Sequence, residues 1–386
     1  MSNFIKNYFD KIRPKFEKDG SLHALRSVFD GMESFLLVPN ETSKSGASIH
    51  DAIDSKRIMS MVVVALIPAM LFGMYNIGFQ NYKAAGVEGS LLQMFGFGFL
   101  TLLPKIIVSY VVGLGIEFIF AQVKHEEIQE GYLVTGMLMP LILPVNTPLW
   151  MMALVIAASV VFVKEIFGGT GMNIFNVALM ARAFLFFGYP AKMTGDSVWI
   201  ANGPVCGLGN MLPDGFTQAT PLSFVKVGAP IPDFSLNDMI VGLIPGSVGE
   251  TSVIAILIGA VILLWTGIAS WKVMLSVFVG GGLTAFLFQS VGLTSIPWYE
   301  HLVLGGFCFG AVFMATDPVT GARTEKGKYF YGFFIGLVAI LVRVLNPGYP
   351  EGMMMAILLM NAFAPLIDYC VVQSNISKRA KRITNK

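Results

Sequence analysis

IMSMVVVALIPAMLFGMYNIG, residues 58–78, contains no charged residue, and the nearest charges on either side are Arg57 and Lys83. An uncharged apolar stretch of about 20 residues is typical of a helix that crosses a membrane. The whole chain agrees, because 55% of its 386 residues are hydrophobic and only 13% are charged, against roughly 25% charged residues in a soluble domain. The sequence therefore predicts an all-α protein that spans a membrane several times.

Nine further apolar segments follow, which predicts about ten transmembrane helices in all. Their expected bounds are 95–120, 132–144, 149–163, 172–189, 252–270, 273–291, 302–315, 329–345 and 353–372. The third and eighth segments of the ten are short, and Pro140 and Pro144 interrupt the third, so both are candidates for broken helices. Lys105 and Glu117 in the second segment are interpreted as structural charges or as charges that reach the membrane surface.

The predicted spans divide into two halves of five that share an order of motifs. In the first half, Asn146-Thr-Pro148 is followed by a span and then by a motif that begins at Gly171. In the second half, Thr316-Asp-Pro318 is followed by a span and a related motif from Gly352. Repeats with an odd number of spans must be inverted, and inverted repeats often place a ligand or ion site at their broken helices. A pair of ordinary turns without a site is the alternative.

Lysine and arginine placement predicts the orientation, because these residues favour the cytoplasmic side. The expected units are a cytoplasmic extension (1–57), a first repeat (58–189), a periplasmic loop (190–250), a second repeat (251–372) and a basic cytoplasmic tail (373–386). No signal peptide is recognisable, and we expect a bacterial inner-membrane protein with both termini in the cytoplasm. Residues 7–18 favour either an amphipathic helix on the membrane surface or a helix broken at Pro14.

Several function classes lack support in the sequence. The three cysteines and four histidines are scattered without metal-ligand spacing, so no metal site is expected. Glycine-rich phosphate loops are absent as well, so ATP binding is not expected. The basic residues flank the membrane spans, which disfavours a nucleic-acid partner.

Asp214-Gly-Phe-Thr-Gln-Ala-Thr220 lies in the predicted periplasmic loop. By composition alone it predicts an exposed turn. The segment also resembles the target motif of flavin transferases, Asp-Gly-x-Ser/Thr-small-Ala-Thr, at which FMN is attached to threonine by a phosphoester bond. The matching residues are Asp214, Gly215, Thr217, Ala219 and Thr220, whereas Gln218 departs from the small residue of that motif. The resemblance implies that Thr220 carries covalent FMN.

The rest of the chain resembles the family of B subunits of sodium-translocating NADH:quinone oxidoreductases over nearly its whole length. A related family, the D subunits of the Rnf complex, looks shorter at its N-terminus, so the polar extension of residues 1–57 favours the reductase family. The strings that carry the resemblance are KIRPKFEK (11–18), DAIDSKRIM (51–59), FGMYN (72–76), KEIFGGTG (164–171), RAFLFF (182–187) and DPVT (317–320).

The resemblance implies a function as one subunit of a six-subunit respiratory sodium pump. Electrons would pass through covalent FMN and non-covalent riboflavin to ubiquinone or menaquinone, coupled to Na⁺ export. The implied partners are a second subunit with covalent FMN, a subunit that oxidises NADH, and the flavin transferase. The alternatives are an Rnf-type ferredoxin:NAD⁺ oxidoreductase subunit, a solute channel or carrier without redox chemistry, and a scaffold without flavin.

Four further residues are candidates for binding. Asn173 and Asn176 open a half-buried helix, and they are expected either to hydrogen-bond a flavin or to pack against a neighbouring helix. Asp368 in the last span and Glu130 at the edge of the third are candidates for the Na⁺ path, because ionisable groups inside spans are costly and often functional. A solvated acid at a helix end is the alternative for both.

Overall fold

The computed structural model describes residues 2–16, 29, 33, 55–124, 131–195, 198–212, 220–223, 234–346, 348 and 351–384. Within these residues the regular structure is helical, apart from one isolated β-bridge between Val205 and Leu208. The predicted all-α membrane fold is confirmed.

The described part of the chain forms fourteen α-helices, which we number in chain order. They are α1 (Ser2–Ile12), α2 (Ser55–Ala85), α3 (Leu91–Lys124), α4 (Tyr132–Ile142), α5 (Leu149–Ser159), α6 (Val177–Gly188), α7 (Pro190–Met193), α8 (Leu236–Val241), α9 (Val253–Trp265), α10 (Trp271–Ser290), α11 (Trp298–Val303), α12 (Phe307–Phe309), α13 (Gly327–Leu345) and α14 (Met353–Thr384). Helices α5 and α12 continue directly into π-helices at Val160–Glu165 and Gly310–Met314.

Every predicted apolar segment contains a helix, but the helices differ in length. Among the described residues five helices, α2, α3, α10, α13 and α14, are long and apolar enough to cross a membrane. Helices α4, α6 and α9 are apolar but shorter. At 1.5 Å per residue the 11-residue α4 rises only about 16 Å, roughly half of a 30 Å hydrocarbon core. The short third and eighth segments are therefore broken as predicted.

Several helix ends differ from the predicted bounds, and local backbone chemistry explains two of them. Helix α6 begins at Val177 rather than at residue 172, because the Asn176 side chain caps it by accepting a hydrogen bond from the Leu179 N–H. Helix α9 ends at Trp265 rather than at residue 270, and Gly267 follows with a φ of 71°. Glycine adopts this left-handed conformation without strain, which allows the chain to turn away.

Helix α3 shows the inside-out pattern of a membrane protein. Its buried face carries small or polar residues, namely Gly98, Lys105, Ser109, Gly113 and Glu117, together with Phe97 and Leu102. Its exposed face carries Ile107, Val111, Ile119 and Val123. Apolar side chains on the outer face suit contact with lipid, whereas polar groups are stable only where protein partners satisfy them.

Lys105 and Glu117 are buried inside the protein, with exposures of 5% and 6%. They therefore do not reach the membrane surface, and the structural interpretation of both charges agrees with the geometry. Glu117 forms an ion pair with the buried Lys164 of the π-helix. This pair ties α3 to the end of α5.

A chain break follows α4, at Leu143–Pro148, and internal donors satisfy its carbonyl groups. The Gly249 N–H donates to Leu141 O at 2.9 Å, and the Ser247 hydroxyl donates to Ile142 O at 3.3 Å. The Lys105 ammonium donates to Pro144 O at 3.0 Å and also to Val145 O. The last carbonyls of a helix have no partner within the helix, so a break at membrane depth requires such donors.

The second break follows the π-helix Gly310–Met314. Its buried charged group is a carboxylate, whereas the first break contains an ammonium. The Asp317 carboxylate accepts hydrogen bonds from Val319 N at 3.0 Å and from Thr320 Oγ1 at 2.9 Å. Both breaks therefore lie at the predicted proline motifs. The division into two halves of five spans and the inverted relation of the halves stay predictions.

Buried amides on α2 fix two long connections to the helical core. Asn76 Nδ2 donates to Ile244 O at 2.9 Å. Asn81 Nδ2 donates to Ala201 O at 2.9 Å, and Asn81 Oδ1 accepts from Asn210 N at 2.8 Å. These bonds hold residues 198–212 and the loop before α9 against one end of α2.

The N-terminal helix ends at proline. Helix α1 stops at Ile12, and a single 3-10 turn at Arg13–Lys15 contains Pro14. This agrees with the second of the two alternatives for this segment, because proline removes a backbone donor and clashes with the preceding turn.

The close approach of α2 and α3 depends on glycine, which allows a direct test. A Cβ at Gly98 would collide with the carbonyl oxygen of Met74, whereas a Cβ at Gly115 of the same helix would meet no atom within 4 Å. We expect Gly98→Ala to lower the stability by about 1–3 kcal/mol through overpacking. Thermal unfolding of the purified protein in detergent measures the loss. Gly115→Ala is the matched control and should leave stability unchanged or slightly raised; equal behaviour of the two variants would contradict the assignment.

Candidate functional site

A cavity of about 540 Å³, which we call the large cavity, opens beside the second half of α6. Its wall also includes the segments after α6, the loop before α9 and the residues around the start of α14. The lining residues include Arg182, Phe186, Met193, Thr194, Gly195, Trp199, Thr220, Pro221, Leu222, Ser223, Ile244, Pro245, Gly246, Ser247, Glu250, Thr251, Leu304, Gly305, Gly348 and Glu351.

Thr220, the predicted attachment residue, lies in the wall of the large cavity. It is half-buried, and its carbonyl oxygen accepts hydrogen bonds from Ser223 N at 2.9 Å and from Ser223 Oγ at 2.7 Å. This turn holds the threonine at the edge of the cavity. The other residues of the predicted transferase motif, Asp214, Gly215, Thr217 and Ala219, lie outside the described residues.

A buried charge cluster forms one wall of the large cavity, and we call it the Arg182 triad. Arg182 on α6 donates to Glu250 Oε1 at 2.7 Å through Nη1, and to Glu351 Oε2 at 2.6 Å through Nη2. Arg182 and Glu250 are only 4% and 8% exposed. The guanidinium fork suits two carboxylates at once, so one arginine on α6 holds an acid of the loop before α9 and an acid of the connection before α14.

The ionisation of Glu250, which lies in the loop before α9, depends on Arg182. Burial raises the pKa of this carboxyl, which precedes the sixth span, and the neighbouring Glu351 raises it as well. The Arg182 guanidinium opposes the shift because it favours the ionised carboxylate. Without Arg182, Glu250 would lose the group that favours its ionised form.

A second cavity, which we call the small cavity, has a volume of about 90 Å³. It lies at the opposite end of α6 and brings together Asn173, Asn176, Lys164, Thr316 and Asp317. Asn176 Nδ2 donates to Asp317 Oδ2 at 3.2 Å, while Asn173 Nδ2 donates to Phe175 O at 3.0 Å. The two predicted asparagines therefore share a cavity with the acid of the second break.

The two cavities lie at different heights along α6. Asn176 and Val177 at its start line the small cavity, and Arg182 and Phe186 line the large one. The ten residues from Asn176 to Phe186 correspond to about 15 Å of helix. Helix α6 therefore runs from one cavity to the other.

Asp368 forms hydrogen bonds with the loop before α13. Its carboxylate accepts hydrogen bonds from Arg323 N at 2.8 Å, Thr324 N at 2.9 Å and Thr324 Oγ1 at 2.5 Å. These bonds anchor the loop before α13 to α14. Glu130, the other candidate for the Na⁺ path, lies outside the described residues.

Sequence reasoning missed the partners of the buried charges. The predicted span 172–189 contains Arg182 and the predicted outside loop ends at Glu250, but no role was assigned to these two residues, to Glu351 or to Lys164. The available signal was the cost of a charge at membrane depth, which requires a partner of opposite sign. That rule predicts that partners exist but does not identify them.

Comparisons with known proteins agree with the fold. The model of the NQR2, RnfD, RnfE family matches residues 42–377. A Chromohalobacter salexigens protein, named as the B subunit of a Na(+)-translocating NADH-quinone reductase, is 46% identical over 98% of this chain and 96% of its own length. Proteins of the same name from Klebsiella pneumoniae and Pseudomonas aeruginosa are 42% and 41% identical over 98% of this chain and 99% of their own lengths. The predicted resemblance to this family of B subunits is confirmed.

The Arg182 triad predicts a large effect of a single substitution. We expect Arg182→Met to lower the stability by about 3–5 kcal/mol, because it leaves two buried acids without their cation. Adding Glu250→Gln should recover part of the loss, as thermal unfolding of the single and double variants would measure.

An exposed ion pair supplies the control for that experiment. Glu325 accepts hydrogen bonds from Lys272 and Lys328, and these two ammonium groups hold its pKa below its usual range. Lys272→Met should change stability by less than about 1 kcal/mol, since water screens an exposed pair. A loss in Arg182→Met no larger than in Lys272→Met would rule out the triad as a structural link.

Proposed function

The chain belongs to the NQR2, RnfD, RnfE family, and from that premise we propose that it acts as the B subunit of a sodium-translocating NADH-quinone reductase, relaying electrons through covalent FMN toward a quinone. The relatives of that name match 98% of the chain, so the polar N-terminal extension is shared with them. This favours the reductase over the Rnf-type alternative, for which a shorter N-terminus is expected.

The observation that carries the flavin proposal is the position of Thr220 in the wall of the large cavity. A half-buried hydroxyl at a cavity edge is accessible to a modifying enzyme from outside and leaves space for a bulky group inside. The volume of about 540 Å³ falls within the roughly 300–1,000 Å³ of sites for organic ligands and cofactors. Trp199 and Phe186 add aromatic surface to the wall, which suits a planar heteroaromatic ring.

The residues of the large cavity fit FMN chemically as well. A phosphoester on Thr220 would fix the phosphate end of the cofactor, which supplies the redox chemistry when bound. Arg182 provides a fixed cation in the cavity wall, and a positive charge beside a flavin tunes its electronic state. Glu250 and Glu351 hold the guanidinium in place. We assign Thr220 as the residue to which FMN is attached, and the Arg182 triad as the group that holds a positive charge beside the flavin.

The small cavity fits non-covalent riboflavin less well than the large cavity fits covalent FMN. Asn173, Asn176 and Lys164 offer hydrogen-bond donors suited to the polar edge of a flavin ring. However, a cavity of about 90 Å³ does not hold a whole riboflavin. We therefore keep non-covalent riboflavin at the two asparagines as a proposal to be tested and assign no electron-transfer step to it.

The remaining proposals concern transport and location. We propose that Na⁺ export involves Asp368 and Glu130, and that Asp368 combines this role with its bonds to the loop before α13. The proposed location is a bacterial inner membrane with both termini cytoplasmic and Thr220 periplasmic. The proposed partners are the other members of a six-subunit complex, including an NADH-oxidising subunit and a second FMN subunit, together with the flavin transferase and the quinone.

The alternatives without flavin have no use for the transferase motif at Asp214–Thr220. A solute channel or carrier would have broken helices and inverted repeats in common with this chain. A scaffold subunit would need neither a cavity nor an attachment residue. Absence of bound flavin from the purified wild-type chain would favour one of them.

Covalent attachment is tested first at Thr220. We expect the denatured wild-type chain, produced with its flavin transferase, to fluoresce as a flavoprotein band in a gel, and Thr220→Ala to lose that band completely, because the phosphoester requires the hydroxyl. Thr194→Ala, which alters another hydroxyl of the same cavity, is the matched control and should keep the band. A fluorescent band in Thr220→Ala would refute this attachment site.

Non-covalent flavin is tested separately at Asn173. This side chain donates only to the nearby Phe175 O among the described hydrogen bonds, so Asn173→Leu should perturb the fold little. We expect it to reduce extractable riboflavin at least several-fold relative to covalent FMN, measured by chromatography of the released flavins. Unchanged riboflavin content would argue against the small cavity as its site, and Thr194→Ala again serves as the control.

A further inference from the structure

Lys105 is a buried cation that the proposed electron relay does not use. It lies within α3 and is only 5% exposed. Its ammonium donates to two backbone carbonyls of the first break, Pro144 O at 3.0 Å and Val145 O. Among the residues that the structure describes, no carboxylate forms an ion pair with Lys105. A buried charge without a charged partner is costly and requires an explanation.

The carbonyls that bind Lys105 follow the end of a half-crossing helix. Helix α4 ends at Ile142, and its C-terminus carries the negative end of the helix dipole. Unwound carbonyls and half-helix C-termini at membrane depth are the groups with which transporters coordinate Na⁺. The ammonium therefore occupies a position that attracts a monovalent cation.

Thr147 lies in the same turn and carries a buried hydroxyl that does not hydrogen-bond to Lys105. It is 3% exposed, and its hydroxyl has no hydrogen-bond partner among the described residues. Its backbone N–H donates to Pro144 O at 3.2 Å, which keeps the residue in the turn that Lys105 binds. A buried hydroxyl without a partner is rare and points to a polar ligand or a polar site.

We propose that the first break is a monovalent-cation site whose resident cation is the ammonium of Lys105. Because this cation is covalently tethered, it cannot leave, and the site takes no free ion while the lysine is present. The second break carries Asp317 instead, so the two related breaks have opposite charge. A consequence for transport, which rests on the proposed function, is that exported Na⁺ does not use the first break.

Removal of the lysine should expose the site to free cations. We would purify full-length wild type and Lys105→Met with their accompanying subunits and measure thermal unfolding in NaCl, KCl, NH₄Cl or choline chloride at equal concentration. In choline the variant should unfold at a lower temperature than wild type. Ammonium, the direct replacement for the lost group, should raise its unfolding temperature by about 2 °C or more beyond any rise in wild type.

Two further variants make the result specific. Lys83→Met removes an exposed lysine at the end of α2 and should show only the wild-type response to each salt. Lys105→Gln retains N–H donors for both carbonyls. In choline it should therefore unfold at a higher temperature than Lys105→Met, and ammonium should raise its unfolding temperature by less. If Lys105→Met is lost during purification in choline, its recovery from membranes extracted in ammonium or choline becomes the readout.

The outcome is independent of flavin chemistry. A response to NH₄⁺, Na⁺ or K⁺ in Lys105→Met no larger than in wild type, or equal recovery in ammonium and choline, would overturn the cation site. Loss of the covalent flavin band in wild type would overturn the proposed function but leave this result intact. The two failures are therefore distinguishable.

Discussion

Backbone hydrogen bonding in a medium without water constrains this structure more than any other interaction. A helix that ends inside the bilayer leaves carbonyl groups that lipid cannot satisfy, and each such group costs several kcal/mol. The first break meets this constraint with Lys105, Ser247 and Gly249. The donors come from α3 and from the loop before α9, so the break of the first half depends on a connection that lies outside that half.

The same constraint explains where the charges lie. Lys105, Glu117, Lys164, Arg182 and Glu250 are all buried within the protein, whereas the exposed faces of the long helices are apolar. Buried pairs add little net stability by themselves, but removing one partner is expensive. The charges therefore specify which helices are neighbours. Arg182 does this most clearly, because its fork binds one acid from each of two separate connections, the loop before α9 and the segment before α14.

The sequence was sufficient to predict the helical class, the approximate spans and the two breaks. Apolar stretches such as 58–78 fix the helices, and Pro144 and Pro318 mark positions where a helix cannot continue. Helix ends depend on caps that periodicity does not reveal, so the predicted span does not show that α6 begins at Val177, after the cap at Asn176. Of the residues that line the large cavity, the sequence singled out only Thr220 as a site residue, because a motif marks it, and its role stays a proposal. Glu250, Glu351 and Lys164 are far from their partners in sequence, and no local pattern connects them.

Helix α6 links the two cavities to the second half of the chain. At its start, Asn176 holds Asp317 of the second break, and one and a half turns later Arg182 holds Glu250 and Glu351. Both contacts join α6 to segments later in the chain, and each forms part of a cavity wall. Any movement of α6 relative to those segments would break or rearrange these contacts, so the walls of both cavities depend on the position of this one helix.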